Sequence, residues 1–257
     1  MNFDAVVFDL DGVLTDTASV HVTAWKQVFD EYLKGRATRV QEQFRPFTAD
    51  TDYPYYVDGK PRSDGIRSFL DSRGIELAEG DPRDGPEEET VYGLGNRKDV
   101  LFRQLISQNG VRVFEGSIHL VRQLEAMGVR RAVASSSKNC QTILQIAGIE
   151  GLFQARVDGV VSAELNLKGK PSPDIFLKCA EMLGVPPQRA VVVEDAISGV
   201  QAGRNGHFGL VIAVDRLGIG SAFMENGADV VVQDLGGVSH LDIDRWCADK
   251  KKLPIVS

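Results

Sequence analysis

The sequence predicts an α/β fold, in which a doubly wound, parallel, Rossmann-like sheet is interrupted after its first strand by an inserted α-helical domain. Short apolar runs without polar interruption recur along the chain, which is typical of strands buried in a parallel sheet. Segments with helical spacing separate most of these runs. The alternation is lost over residues 36–108 and resumes near Val111, which indicates an insertion.

The predicted core begins with one strand and continues, after the insertion, with a helix through Ile118 and Met127 and four further strands. The five strands are expected at residues 5–8, 131–134, 190–193, 210–214 and 229–232. We therefore predict a core domain of residues 1–16 and 112–257 and an inserted helical domain of residues 17–111.

The insertion is predicted to begin with a helix that Asp16 or Thr17 can cap and that ends before Gly35. After this helix we predict a loop with two cations at residues 57–65 and a helix from Ile66. An acidic surface loop is predicted at residues 79–89, and residues 93–98 are predicted as the turn that starts another helix. A lone Gly-x-Gly such as the one in that last turn is weak evidence for nucleotide binding.

Composition and charge exclude several classes of protein. The 257 residues are 43% hydrophobic and 25% charged, with a net charge of -7, which is ordinary for a globular protein and excludes disorder throughout. The one short basic run, residues 250–252, is expected to be a solvated tail, so no nucleic-acid partner is predicted. No apolar segment approaches membrane-spanning length, and the three cysteines lack metal-ligand spacing. We expect a soluble, cytoplasmic protein with reduced thiols and no membrane partner.

Two carboxylates follow the first predicted strand directly. Asp9 and Asp11 lie two positions apart, so both can face one small space. Like charges this close require a cation beside them. An Asp-Gly turn that ends a buried strand, or an acidic receiver-like pocket, is the simpler interpretation of this motif when it stands alone.

Two other predicted strands also end in polar residues. Ser135 and Ser136 follow one of them, and Glu194 and Asp195 follow the other. Each pair alone could be helix-cap chemistry, and Lys170 alone could be a surface lysine. Because open α/β sheets place ligands at the carboxyl ends of their strands, we expect these groups to share a site. Carboxylates, a hydroxyl and a cation are what Mg²⁺-dependent phosphoryl transfer requires.

In chain order, Phe8-Asp9-x-Asp11-Gly12, Ser135, Lys170 before Pro-x-Pro, and Glu194-Asp195 resemble the four motifs of the haloacid dehalogenase superfamily. The subgroup resembled is the β-phosphoglucomutase-like one with an α-helical cap. The resemblance implies that Asp9 is the nucleophile that forms an aspartyl phosphate. It also implies that Asp11 is the general acid and base.

The same resemblance implies a Mg²⁺ ion held by the Asp9 carboxylate, the Asp11 backbone carbonyl and Asp195, with Glu194 in or beside its shell. Ser135 and Lys170 would hold the transferring phosphoryl group. Further substrate contacts would come from Ser136 and from residues that match the distal-phosphate segment and the cap of that subgroup: Ser137, Lys138, Asn139, Arg62, His21 and Lys98. For His21 alone, a structural hydrogen bond is the simpler interpretation.

From this resemblance, the reaction we favour is the interconversion of β-glucose 1-phosphate and glucose 6-phosphate. The expected partner is thus a small phosphorylated sugar, and the protein is expected to be a monomer. A sugar-phosphate phosphatase is the alternative, because the aspartyl phosphate can also pass to water. A non-catalytic phosphate-binding or receiver-like module is the third hypothesis. Residues 59–65 are unlike the usual cap loop of the best-understood mutases, which leaves the sugar open.

Overall fold

The computed structural model describes residues 1–216 and 218–249. The predicted basic run at residues 250–252 lies outside them. In this part of the chain, six strands form one sheet: β1 (Ala5–Phe8), β2 (Arg130–Ala134), β3 (Ala155–Val157), β4 (Ala190–Glu194), β5 (Leu210–Val214) and β6 (Val230–Val232). Every pairing is parallel, and the order is β3-β2-β1-β4-β5-β6. The predicted fold class is therefore confirmed.

The strand order reverses at β1, which pairs with β2 on one side and with β4 on the other. Phe8, the last residue of β1, lies opposite Val133 and Val193 in this register. All four residues of β1 are buried, as expected of a strand with helices on both faces of its sheet. The carboxyl ends of β2, β1 and β4 consequently lie side by side.

The prediction of strands was incomplete at β3 and β4. The strand β3 was not predicted, because it has only three residues and the middle one is Arg156. Its place at the edge of the sheet explains why a short run with a polar residue can pair there. In β4, Glu194 forms the last residue of the strand and not part of the turn.

Ten α-helices lie among the described residues: α1 (Ala18–Val40), α2 (Arg62–Ser72), α3 (Val91–Asn109), α4 (Glu115–Ala126), α5 (Cys140–Ile146), α6 (Gly159–Glu164), α7 (Asp174–Leu183), α8 (Ile197–Asn205), α9 (Gly220–Glu225) and α10 (His240–Asp249). A π-helical turn, Tyr53–Val57, lies between α1 and α2. Among the described residues, no helix has both the length and the apolar character needed to cross a membrane.

The predicted end of α1 and the predicted start of α2 were wrong. Helix α1 continues through Gly35, because one interior glycine costs only about 1 kcal/mol and the burial of Ala37 beyond it stabilises the helix. The helix ends at its C-cap, Gln41, which has the left-handed conformation. Thr17 stands at the N-cap of α1, but its side chain makes no capping hydrogen bond. Helix α2 begins at Arg62, inside the predicted loop.

The start of α3 also precedes the predicted turn. Its cap is Thr90, whose hydroxyl accepts a hydrogen bond from the Gly93 backbone N–H at 2.9 Å. Gly93 therefore lies in the first turn of the helix. A Cβ atom at Gly93 would lie 2.2 Å from the Glu88 carbonyl oxygen, so the glycine allows residues 79–89 to pack closely on this turn.

The chain divides into two compact units. Unit 1 comprises Met1–Asp16, Gly59–Pro61 and Val111–Ser257, and unit 2 comprises Thr17–Asp58 and Arg62–Gly110. Three residues of the insertion, Gly59–Pro61, thus group with unit 1. That unit 2 acts as a substrate-binding cap stays a prediction.

Each unit has its own hydrophobic core. In unit 1, helix α7 packs on β1, β2 and β3 and contributes the fully buried Phe176. In unit 2, aromatic rings form the centre: the Phe29 ring centroid lies 5.0 Å from that of Trp25, 5.1 Å from that of Phe47 and 4.3 Å from that of Phe69. Ring pairs at such distances stabilise a core beyond the area that they bury.

Candidate active site

Polar residues meet at the carboxyl ends of three adjacent strands in unit 1. Asp9 follows β1, and its backbone N–H donates to the Val193 carbonyl of β4 at 2.9 Å. Ser135 follows β2, and its N–H donates to the Val157 carbonyl of β3 at 3.0 Å. Glu194 is the last residue of β4, and Asp195 follows it. The ladder of the sheet thus continues into these residues and fixes their backbones relative to one another.

Lys170 lies between two carboxylates. Its ammonium group donates to Asp9 Oδ1 at 2.5 Å and also to Glu194 Oε1. The Lys170 side chain is completely buried, and those of Asp9 and Glu194 are nearly so. A buried cation held by two buried anions is costly to break at any one member, so the three residues form a single electrostatic unit.

The charges of this triad depend on one another. Burial raises the pKa of Asp9 well above its ordinary value; the Lys170 ammonium opposes that shift, whereas the Glu194 and Asp11 carboxylates add to it. Burial alone would lower the pKa of Lys170, but the carboxylates of Asp9 and Glu194 raise it. Any further positive charge beside Asp9 would favour its ionised carboxylate.

Glu194 has protein partners at both of its oxygen atoms. Its Oε1 accepts from Lys170, and its Oε2 accepts from the backbone N–H groups of Asp195 and Ala196 at 2.8 and 2.7 Å. A Cβ atom at Gly199 would lie 1.8 Å from Oε1, so a glycine in α8 makes room for the carboxylate. Glu194 thus orients Lys170 and ties down the turn that carries Asp195.

Asp11 contacts the hydroxyl group that follows β2. Ser135 Oγ donates to Asp11 Oδ2 at 3.3 Å, and the same Oγ accepts from the Ser137 N–H at 3.1 Å. Unlike Asp9, Asp11 is partly exposed. Asp9 therefore lies in a buried ion pair, whereas Asp11 is partly accessible to solvent.

Gly12 touches Asp195 at close range. Its φ is +81°, and a Cβ atom there would lie 1.6 Å from Asp195 Oδ2. A side chain at residue 12 would thus occupy the place of the carboxylate. Sequence reasoning treated Gly12 as a turn residue and missed this contact, although the Asp-Gly pair after a strand was a visible signal.

The serine-rich segment after β2 is held by hydrogen bonds on both sides. Ser136 Oγ donates to the Gly59 carbonyl at 2.7 Å, and the Asn139 N–H donates to Ser137 Oγ at 3.1 Å. A Cβ atom at Gly159, the first residue of α6, would lie 2.9 Å from the Lys138 backbone nitrogen. Gly59, which was assigned only to a loop, is thus a direct partner of Ser136.

The predicted substrate-binding residues of the insertion lie in unit 2. Arg62 pairs with Asp99 at 2.5 Å, and burial lowers the pKa of its guanidinium group although Asp99 opposes that shift. Lys98 is 4% exposed, contacts His21 Nδ1, and has its ammonium group 4.6 Å from the centre of the Phe102 ring. His21 stacks on Phe102 with ring centroids 4.0 Å apart. His21 therefore contacts two residues of α3 within unit 2.

The donor set in unit 1 fits Mg²⁺. In the described ranges, no cluster of three or more His, Cys, Asp or Glu side chains has the arrangement of a metal cage. Mg²⁺ is commonly bound by one or two carboxylates, with water and substrate phosphate completing its shell. Asp9 and Asp195 are the two carboxylates that could hold such an ion, and a cation there would counter the burial that raises the pKa of Asp9.

Comparisons with known proteins identify a family and a shared fold. A model of the haloacid dehalogenase-like hydrolase family matches residues 3–207. A β-phosphoglucomutase of Mycobacterium bovis is 51% identical over 234 residues, which cover 90% of this chain and 89% of the relative. That of Bacillus subtilis is 32% identical over 229 residues, or 89% and 88% of the two chains. The crystal structure of β-phosphoglucomutase from Clostridium difficile has the same fold, with a TM-score of 0.73 at 24% identity over 96% of this chain and 98% of that one.

Proposed function

The chain belongs to the haloacid dehalogenase-like hydrolase family, and on this premise we propose that it is a Mg²⁺-dependent β-phosphoglucomutase. It would interconvert β-D-glucose 1-phosphate and glucose 6-phosphate through an aspartyl phosphate. The observation that carries the proposal is the Lys170 ammonium group bonded to Asp9 and Glu194 at the carboxyl end of the sheet. The identity with the mycobacterial mutase over nearly the whole chain supports the choice of reaction.

Asp9 would act as the nucleophile. Lys170 holds Asp9 Oδ1 at 2.5 Å, which orients the carboxylate and offsets charge as the phosphoryl group approaches. A bond forms between an Asp9 oxygen and phosphorus, and the bond from phosphorus to the sugar oxygen breaks. Mg²⁺, held by the Asp9 and Asp195 carboxylates and the Asp11 backbone carbonyl, would neutralise charge on these acids and on the phosphoryl oxygens.

Asp11 would move the proton. It gives a proton to the leaving sugar oxygen when Asp9 is phosphorylated, and it takes one from the attacking sugar hydroxyl in the return step. Its partial exposure and its contact with Ser135 Oγ suit a group that alternates between two protonation states. Ser135 and Lys170 would hold the phosphoryl group, and Glu194 would keep Lys170 in place from beside the metal.

A mutase needs a second phosphate-binding site, here called the second grip, because its bisphosphate intermediate binds in either orientation. We assign this grip to Arg62, Ser137, Lys138 and Asn139, with Ser136, His21 and Lys98 as further substrate contacts. An arginine can hold phosphate through two hydrogen bonds, and Arg62 has a carboxylate partner, Asp99, that substrate could replace. The cytoplasmic location and the monomeric state stay predictions.

A phosphatase acting on sugar phosphates is the second candidate, since the matching family is described as hydrolases. The two reactions share the phosphorylation of Asp9 and differ in the acceptor, which is a sugar hydroxyl or water. In that case Asp11 would activate water in the second step.

One assay separates the candidates. The protein is supplied with Mg²⁺, β-D-glucose 1-phosphate and a trace of the 1,6-bisphosphate, and glucose 6-phosphate and inorganic phosphate are followed together. A mutase forms glucose 6-phosphate much faster than phosphate, whereas excess phosphate supports the hydrolase. No turnover of any phosphate ester would support a binding module. The Asp9→Asn variant should be inactive in every format, and the α anomer serves as the substrate control.

The second grip has its own test. Arg62→Ala should lower mutase activity far more than hydrolysis of a small phosphate ester, which has no distal phosphate. Arg67→Ala is the matched control, because Arg67 lies on the same helix and pairs with Asp64 and Glu79. Equal losses on both substrates in Arg62→Ala would refute the assignment of this arginine.

A further inference from the structure

Arg216 connects the loop after β1 to the turn after β6. It lies two residues beyond β5, and its Nε donates to the Gly12 carbonyl oxygen at 3.1 Å. Its Nη1 donates to the Gln233 carbonyl at 3.2 Å and to Asp234 Oδ2 at 3.1 Å. One rigid guanidinium group thus spans two segments that the chain order keeps far apart.

The guanidinium group is itself fixed. Its central carbon lies 3.9 Å from the centre of the Phe114 ring, a distance at which a cation is attracted to the ring face. Asp234 is held in turn, since its Oδ1 accepts from the Gly236 N–H at 2.5 Å. Burial alone would raise the pKa of Asp234, but the Gly236 N–H and Arg216 lower it, so Arg216 has a charged partner at ordinary pH.

Arg216 completes the hydrogen bonding of the loop that follows Asp11. Three successive carbonyls of this loop accept from two other segments. That of Gly12 accepts from Arg216, whereas those of Val13 and Leu14 accept from the start of α4, through Ser117 Oγ at 2.6 Å and the Phe114 N–H at 3.0 Å. The Gly12 N–H donates to the Thr15 carbonyl at 2.7 Å. Gly12 therefore has both of its backbone polar groups engaged.

The position of Gly12 determines those of two site residues. It follows Asp11 directly, and its Cα lies against the Asp195 carboxylate, where a Cβ would come within 1.6 Å of Oδ2. A shift of the Gly12 peptide would therefore rotate Asp11 and also move the surface on which Asp195 rests. Buried backbone groups keep their partners when they can, so the Arg216 contact resists such a shift.

We propose that Arg216 is a positioning residue for phosphoryl transfer, which holds Gly12 so that Asp11 keeps its working geometry without Arg216 touching the substrate. This inference rests on the proposed role of Asp11. Its main consequence concerns the proton that Asp11 supplies. Loss of the contact should matter most where the leaving oxygen needs that proton.

The test compares two phosphate esters in Arg216→Ala and Arg216→Lys. A sugar oxygen is a poor leaving group and depends on a general acid, whereas the p-nitrophenolate of p-nitrophenyl phosphate leaves without one. Since misplacement by about 1 Å can cost roughly 100-fold, Arg216→Ala should lose about 100-fold on the sugar phosphate. The release of p-nitrophenolate in a single turnover, which precedes the activation of water by Asp11, should fall by less than about 3-fold. Arg216→Lys, which retains the charge but not the planar fork, should fall between wild type and Arg216→Ala.

Arg189→Ala is the matched control, because Arg189 is an arginine of the same unit that pairs through Nε with an exposed carboxylate, Asp4. It should leave both rates unchanged. A readout without catalysis is hydrogen exchange of residues 10–16, which should become about 10-fold faster in Arg216→Ala while β2 keeps its protection.

The outcomes decide the proposal separately from the function. Equal loss on both esters, or unchanged exchange of residues 10–16, would overturn the positioning role. If wild type releases phosphate and makes no glucose 6-phosphate, the mutase proposal fails. The losses that Arg216→Ala shows on the two esters, relative to wild type, still test the positioning role of Arg216. If wild type turns over neither ester, the exchange rates decide alone. If Arg216→Ala fails to fold, Arg216→Lys is compared in the same assays.

Discussion

Alanine at Gly12 should disable the site by moving one carboxylate. The new Cβ atom would lie 1.6 Å from Asp195 Oδ2, whereas real Cβ atoms keep at least 3.0 Å from such neighbours. The carboxylate must therefore move by about 1.4 Å, and a misplacement of roughly 1 Å can cost about 100-fold in rate. The positive φ of +81° adds strain of roughly 1–2 kcal/mol. We expect Gly12→Ala to lose at least about 100-fold in kcat/KM and to bind Mg²⁺ more weakly.

Gly128→Ala separates strain from displacement. Gly128 has a similar φ of +71°, and a Cβ there would meet no heavy atom within 4 Å among the described residues. Both variants should lose comparable thermal stability, but Gly128→Ala should retain activity and Mg²⁺ affinity. Activity is measured by the coupled formation of glucose 6-phosphate, and affinity by titration calorimetry. If Gly12→Ala retained as much activity as Gly128→Ala, the inferred contact with Asp195 would be wrong.

Three further predictions concern buried ionisable groups. Lys170→Met removes the cation between two buried carboxylates and should lose about 3–5 kcal/mol of unfolding free energy in urea. Lys178→Met, which breaks a partly exposed pair with Glu181, should lose less than about 1 kcal/mol; similar losses would contradict the triad. Burial raises the pKa of Asp9, so protons should compete with Mg²⁺ for this carboxylate. The increase in Tm on adding Mg²⁺ should therefore be small in acid and grow as the pH rises through that pKa. An increase in Tm that does not change with pH would count against Asp9 as a ligand. Burial raises the pKa of the Cys140 thiol well above its ordinary value and that of Cys179 to about 12, so iodoacetamide should label neither at neutral pH until the protein is unfolded.

The core of the fold was predictable because its strands are long enough to carry a pattern. β1, β4 and β5 are apolar runs that solvent does not reach, and burial on both faces leaves no alternative to an apolar sequence. β3 was not predicted from the sequence, because three residues with an arginine in the middle do not form a continuous apolar segment. The end of α1 was misjudged because a glycine within a helix and a glycine that ends one look alike in sequence.

The residues of the site were visible, but their partnerships were not. Polar residues after several buried strands predict a site when they are taken together, although each pair alone has a simpler interpretation. Nothing in the residues around Lys170 indicates that its ammonium group bonds Asp9, 161 positions earlier. The family resemblance, and not periodicity, connected them. Side-chain hydrogen bonds to backbone carbonyls are even harder to predict from sequence. Arg216 donates to the Gly12 carbonyl and Ser136 to that of Gly59, and a carbonyl is present at every position of the chain.

The central place of β1 in the sheet affects how the protein is made. β1 is synthesised first, yet both of its neighbours, β2 and β4, follow the whole insertion. Ribosomes add roughly 5–20 residues per second, so on the order of ten seconds pass before this apolar segment meets a partner strand. Unit 2, whose aromatic centre is complete within residues 17–110, can form during that delay. Newborn chains are therefore most exposed to aggregation, and most dependent on chaperones, between the emergence of β1 and that of β4.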